Sequence, residues 1–156
     1  VKAFALATAK PVVGISSLDV LAANACGQKA DEICVLTDAR RNLLYACLFE
    51  EKNGALKRKT DYLLTGLDDL LGQVRGKTLF IGDGITLHRD AIQKKYVEAR
   101  KRGADCQAAF ASPKDWFPQA KKLADLAYGR FEKKEYDQSE TLVPIYLYAQ
   151  DCQVQK

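Results

Sequence analysis

The chain carries one histidine, His88, in 156 residues. A zinc site built on two imidazoles, an HExxH metalloprotease and any mechanism with paired imidazoles are therefore excluded. Asp90 lies close in sequence, but no serine sits in a nucleophile elbow, and His88 reads as a residue of a helix's first turn. The five cysteines are Cys26, Cys34, Cys47, Cys106 and Cys152, and none are spaced as CxxC. Cys34 and Cys47 sit inside apolar runs and read as small core residues. Spacing leaves a Cys106–His88 pair open, although Cys106 has no activating local signature. These residues predict neither a metal site nor a cofactor.

Three other clusters have chemistry. In Asp38-Ala39-Arg40-Arg41-Asn42, a carboxylate and two guanidinium groups share a short gap between apolar runs. It reads either as a solvated turn or as a contact with a ligand or partner, with Asn42 suited to a left-handed conformation. Gly82-Asp83-Gly84 lies where a strand gives way to a helix, a position at which α/β sheets bind ligands. An Asp that caps the following helix explains it equally in structural terms. Lys94, Lys95, Arg100, Lys101 and Arg102 form the densest basic run, with Glu98 the one acid among them. This reads as a solvated helix face or as a phosphate-tracking surface for RNA. Tyr96 and Val97 of the same run are expected in the core.

The elements that must position these clusters follow from periodicity. Residues 1–10 are helix-forming and stop at Pro11. Residues 12–15 predict a short strand. Ser16 or Ser17 then caps a helix with Leu18, Leu21, Ala22 and Ala25 on one face, closed by Gly27. Three strands are expected at 33–37, 43–50 and 57–64. The gaps between them are too short for a crossover, so the strands are antiparallel neighbours. A short helix over 67–74, capped by Thr65, precedes a buried strand over 78–81. A helix over 86–102 ends at Gly103, and a weak strand follows at 105–108. The last helix starts near Pro118 and runs to about 132, with Ala120, Leu123, Ala124, Ala127 and Phe131 as its apolar stripe. The tail from 142 to 156 is extended. Three antiparallel strands followed by αβαβα are the layout of the ribonuclease-H-like, or actin-like ATPase, lobe. In that fold the first hairpin approaches a phosphate through backbone amides.

Composition bounds the class. With 47% hydrophobic and 28% charged residues the chain builds one globular core and is not disordered. No apolar run approaches the roughly 18 residues of a membrane span, so no membrane partner is expected. The odd cysteine count points to a reducing cytoplasm. A net charge of +4 permits an RNA partner without requiring one. There is no Met, and the chain begins at Val1, which predicts a processed, trimmed or incomplete product.

Five runs carry a family resemblance: PVVGISSLDVLA (11–22), VLTDARRNLLYACLFE (35–50), IGDG (81–84), PQAKKLADLA (118–127) and VPIYLY (143–148). In this order they resemble the bacterial TsaB (YeaZ) family, relatives of the TsaD proteins with two actin-like domains. The resemblance spans almost the whole chain. It implies a non-catalytic scaffold for tRNA threonylcarbamoyladenosine synthesis, supporting a TsaD-like transferase, with a TsaE-like ATPase joining them. Self-association is a further implied contact, and tRNA is met only indirectly or weakly. Peptidase chemistry, the source of an older family name, has no support in these residues. The family's opening strand and glycine-rich loop are not found. The expectation is therefore a remnant of an upstream helix over 1–10 and a single actin-like lobe over 11–156, the second of two. Asn42 stands where family members often carry Gly, and Tyr148 where they often carry Arg. Asp38, Arg40 and Arg41 are the expected nucleotide- or partner-facing turn. The competing expectations are a nucleotide-binding kinase- or hydrolase-like lobe of the same fold, and a tRNA-binding module.

Overall fold

A computed structural model describes residues 1–148; the last part of the expected extended tail, with Cys152, lies outside the described residues. The elements in order are α1 (Lys2–Thr8), α2 (Ser17–Asn24), β1 (Glu32–Asp38), β2 (Leu44–Lys52), β3 (Ala55–Arg58), β4 (Leu63–Thr65), α3 (Leu67–Gln73), β5 (Lys77–Ile81), α4 (Ile85–Lys101), β6 (Gln107–Phe110) and α5 (Ala120–Glu132). One sheet runs in the order β3-β2-β1-β5-β6, and β4 pairs with β2 beside β3. β1 is antiparallel to β2, from Ile33↔Phe49 to Asp38↔Leu44, and parallel to β5. β5 is parallel to β6. This is the ribonuclease-H-like arrangement expected from the sequence.

β1 reads as an uninterrupted apolar run, Ile33 to Leu36, because both its faces are covered. Cys34 and Leu36 share a core with Leu70 of α3, Ile85 and Ile92 of α4, and Phe80 of β5. Ile33 and Val35 face α2, where Leu18, Leu21, Ala22 and Ala25 are buried. Each fully buried aliphatic side chain stabilises by about 1.5–3 kcal/mol, so α2 holds a full layer in place. Its start is fixed by Ser16, whose side chain accepts from the Leu18 N–H at 3.3 Å. No helix among the described residues is long and apolar enough to cross a membrane.

Several expectations are corrected. Residues 12–15 form a single bridge, Val12↔Asp137, and no strand. The reason is that the Gly14 N–H donates to the Asp137 carboxylate at 2.7 Å where a ladder would need a carbonyl. The strand expected at 57–64 is broken in two. The Thr60 hydroxyl accepts from the Leu48 N–H at 3.1 Å and replaces a backbone carbonyl between β3 and β4. The cap of α3 is Gly66 and not Thr65, whose hydroxyl donates to the Gly66 carbonyl. α5 begins two residues after Pro118, and no residue of it is buried. Leu123 and Phe131 of its expected core stripe are exposed.

Arg130 and Asp137 tie the end of α5 to the segment before α2. The guanidinium donates to both Asp137 oxygens at 3.2 Å and to the Gly14 carbonyl at 2.8 Å. The Gly14 N–H, and after it Arg130, hold the Asp137 carboxyl below its usual range. A carboxyl depressed on folding contributes stability above its unfolded value and loses it as pH falls through its folded value. Asp137→Ala is therefore expected to cost about 1 kcal/mol at neutral pH. Denaturant titrations should show the gap between variant and parent closing as pH falls below the ordinary carboxylate range.

Candidate functional site

The β1–β2 hairpin folds as its residues demand but more tightly than a glycine-free turn suggests. Arg40, Arg41 and Asn42 all have positive φ, at 66°, 54° and 60°. Asn42 tolerates this; two consecutive arginines there cost roughly 1 kcal/mol or more each. The surrounding bonds hold the conformation. The Ala39 N–H donates to the Leu43 carbonyl and the Leu43 N–H to the Arg40 carbonyl, both at 2.9 Å. The Arg40 N–H donates to the Asp38 carboxylate at 2.8 Å, and the Arg40 guanidinium pairs with the same carboxylate at 3.4 Å. Arg40 and Arg41 are exposed while Ala39 beneath them is buried. The structure thus brings Asp38 and Arg40 together and sets Arg41 beside them at the solvent face.

Gly82-Asp83-Gly84 belongs to the same site. Asp83 does not cap α4, whose N-cap is Gly84 without a side-chain bond. Its carboxylate instead accepts from the Asp38 N–H at 3.1 Å, linking the two turns. Gly82, at φ 121°, lets the turn pass under β1. One tail residue, singled out in the sequence for its departure from the family's Arg but given no role there, supports the hairpin, with Tyr45 of β2 as its ring partner. The Tyr148 hydroxyl donates to the Ala39 carbonyl, and its ring meets Tyr45 edge-on at 6.1 Å. VPIYLY carried a family resemblance, yet nothing local in it marks a contact more than 100 residues away. Beside the hairpin root lies a cavity of about 890 Å³, bounded by Thr37, Tyr45, the 14–18 segment and the 142–147 tail.

The arrangement suits electrostatic contact better than phosphate cradling. A phosphate loop presents free backbone N–H groups, and here those of Asp38, Ala39, Arg40 and Leu43 are consumed within the site. Two carboxylates, Asp38 and Asp83, stand where an anion would approach.

The remaining candidates separate. The Cys106 thiol is directed to the Tyr96 carbonyl at 3.9 Å, and Tyr96 lies two turns, about 12 Å of helix rise, from His88. No Cys–His pair forms there. Burial pushes the Cys47 thiol up to about 11, so it is no thiolate at neutral pH. Among the described residues, no group of three His, Cys, Asp or Glu side chains is placed to hold a metal. Tyr96 is in the core and donates to the Thr78 hydroxyl at 2.8 Å, but Val97 is exposed, against expectation, because it falls on the open side of α4.

A family model described as "TsaD: tRNA N6-adenosine threonylcarbamoyltransferase" matches residues 1–155. The chain is 36% identical over 87 residues to the tRNA threonylcarbamoyladenosine biosynthesis protein TsaB of Bacillus subtilis (strain 168), covering 53% of this chain and 37% of that protein. Among solved structures, it is similar to an uncharacterized protein with similarity to peptidase YEAZ from Pseudomonas aeruginosa, with a TM-score of 0.68 at 23% identity. That match covers 95% of this chain and 64% of the other. It is also similar to YeaZ from Pseudomonas aeruginosa, with a TM-score of 0.66 at 21% identity over 94% and 64% of the two chains. At these identities the two structures establish a shared fold. The chain spans less than two thirds of the length of each of these relatives.

Proposed function

We propose, because the chain belongs to the TsaD-type family in its TsaB (YeaZ) branch, that the protein is a non-catalytic scaffold in the synthesis of N6-threonylcarbamoyladenosine in tRNA. Its partner is a TsaD-type transferase, with a TsaE-type ATPase joining the assembly, in the cytoplasm. The observation that carries this reading is an uncovered apolar surface. Phe4 and Leu6 of α1, Leu123 and Phe131 of α5, and Ile145 and Tyr146 of the tail are all exposed. Large apolar side chains left in water are the kind of surface a partner covers where they adjoin one another. The hairpin supports the same reading, since the N–H groups of Asp38, Ala39, Arg40 and Leu43 are used internally and its Asp38, Arg40 and Arg41 side chains form a charged tip suited to a protein contact.

The test is reconstitution with the transferase. Phe4→Asp and Tyr146→Asp change the more fully exposed of these positions, so the folded chain should keep its melting temperature. Complex affinity should fall at least about tenfold, or about 1.4 kcal/mol, when measured by calorimetry. Formation of the modified adenosine by the transferase should require the parent protein. Incubated alone with Mg-ATP, the chain should show no turnover above background. A turnover that disappears in Asp38→Ala would overturn the scaffold reading in favour of an enzyme lobe.

A further inference from the structure

We propose that the exposed cationic stripe of α4 docks the phosphate backbone of RNA. At about 3.6 residues per turn, Lys94 and Lys101 lie almost in line along α4, and Arg102, its C-cap residue, lies somewhat over a quarter turn round from Lys101. All three are exposed; Lys94 and Lys101 lie opposite the buried side that carries Ile85, Ile92 and Tyr96, and Arg102 on its flank. None of the three has an ion-pair partner among the described residues. Glu98 is the one acid on the stripe. Asp68, across the cleft from α3, is already engaged by Lys95 at 3.7 Å.

The helix dipole does not account for the pattern. Cations in the last turn, such as Arg100 and Lys101, are favoured by the free carbonyls there. Lys94 stands two turns earlier, where that effect has died away. From Lys94 to Arg102 the helix rises about 12 Å, a length over which one nucleic-acid strand presents about three phosphates. Beside the stripe, a cleft of about 410 Å³ between α3 and α4 is walled by Lys94, Lys95 and Arg102, with Asp68 and Glu98 as its two acids, and is lined by Leu67, Leu71 and Ala99. Such a groove admits a sugar–phosphate segment with the lysine stems against its apolar side. The choice of RNA over another polyanion rests on the tRNA-modification reading above; the cationic geometry does not.

The experiment measures fluorescence anisotropy of labelled tRNA with the protein between about 50 and 200 mM salt. Three proteins are compared: the parent, Lys94→Gln/Lys101→Gln/Arg102→Gln, and the charge-matched control Lys114→Gln/Lys121→Gln/Lys133→Gln. All six positions are exposed, and circular dichroism checks the fold. The parent is expected to bind with an affinity that falls linearly on a log–log salt plot. The α4 variant should lose at least about tenfold at low salt and about two units of the salt slope, and the control less than about threefold. Absence of tRNA binding by the parent at low salt overturns the proposal. So does an equal loss in the control, or displacement of tRNA by polyglutamate as effective as by unlabelled RNA. Transferase binding is measured on the same samples. A parent that holds the transferase but not tRNA removes this proposal alone, and the converse removes the scaffold reading alone.

Discussion

Gly82→Ala is expected to lower the melting temperature by about 10 °C, corresponding to about 3–5 kcal/mol. A Cβ at this position would stand 2.1 Å from the Leu36 carbonyl oxygen and 3.0 Å from its carbon. Both atoms are backbone of the central strand β1 and cannot rotate away. The φ of 121° is in addition one that side chains with a Cβ rarely adopt. Relief therefore requires the 82–84 turn to lift from β1. That breaks the bond from the Gly84 N–H to the Leu36 carbonyl and pulls Asp83 from the Asp38 N–H. The candidate site loosens together with the fold. Gly72→Ala provides the internal contrast. It is an exposed helical position with nothing within 4 Å of the added atom, and it should be neutral or stabilising by up to about 1 kcal/mol. Calorimetric melting of both variants checks the pair; a Gly82→Ala melting point within a degree or two of the parent would show that β1 does not pin this turn.

The second large effect concerns Glu32, 1% exposed at the start of β1 and ion-paired with Lys59. Its other oxygen accepts from the Arg75 N–H at 3.2 Å. Lys59→Met leaves a buried carboxylate with one backbone donor, which should cost about 3–5 kcal/mol. Removing both charges in Glu32→Gln/Lys59→Met should recover most of that loss, since a neutral amide still accepts from Arg75 and no ion is stranded. Urea unfolding of the two single variants and the double variant gives the coupling directly. A Lys59→Met cost below about 1 kcal/mol would mean that water reaches the carboxylate once the lysine, itself 37% exposed, is gone.

What was legible in the sequence was what short stretches decide by themselves. Ser16 and Gly27 mark the ends of α2 because a cap and a stop act within one turn of chain. The antiparallel β1–β2 pair follows from a gap too short to cross a sheet, and Asn42 takes the left-handed φ it was suited to. The positive φ values of Arg40 and Arg41 were not legible, because only the Asp38 and Leu43 bonds across the turn make them tolerable. Thr60 breaking the edge strand, and Asp137 displacing a strand at 12–15, were hidden for a related reason. A side chain there substitutes for a backbone partner, and composition does not record which.

The single histidine and the five cysteines, with the motif order, were enough to point away from imidazole chemistry and towards a TsaB-type lobe. The sequence by itself thus determined the element order, the central apolar strand and the residues of the charged hairpin, since these depend on period, turn length and residue type. Only the tertiary structure decided that Asp83 serves Asp38 and not α4, and that Tyr148 secures the hairpin. It also decided that the apolar stripe of α5 is left in water. Each of these depends on which distant segment arrives at a given face. Amphipathicity specifies that a helix has an apolar side; it does not specify whether anything covers it.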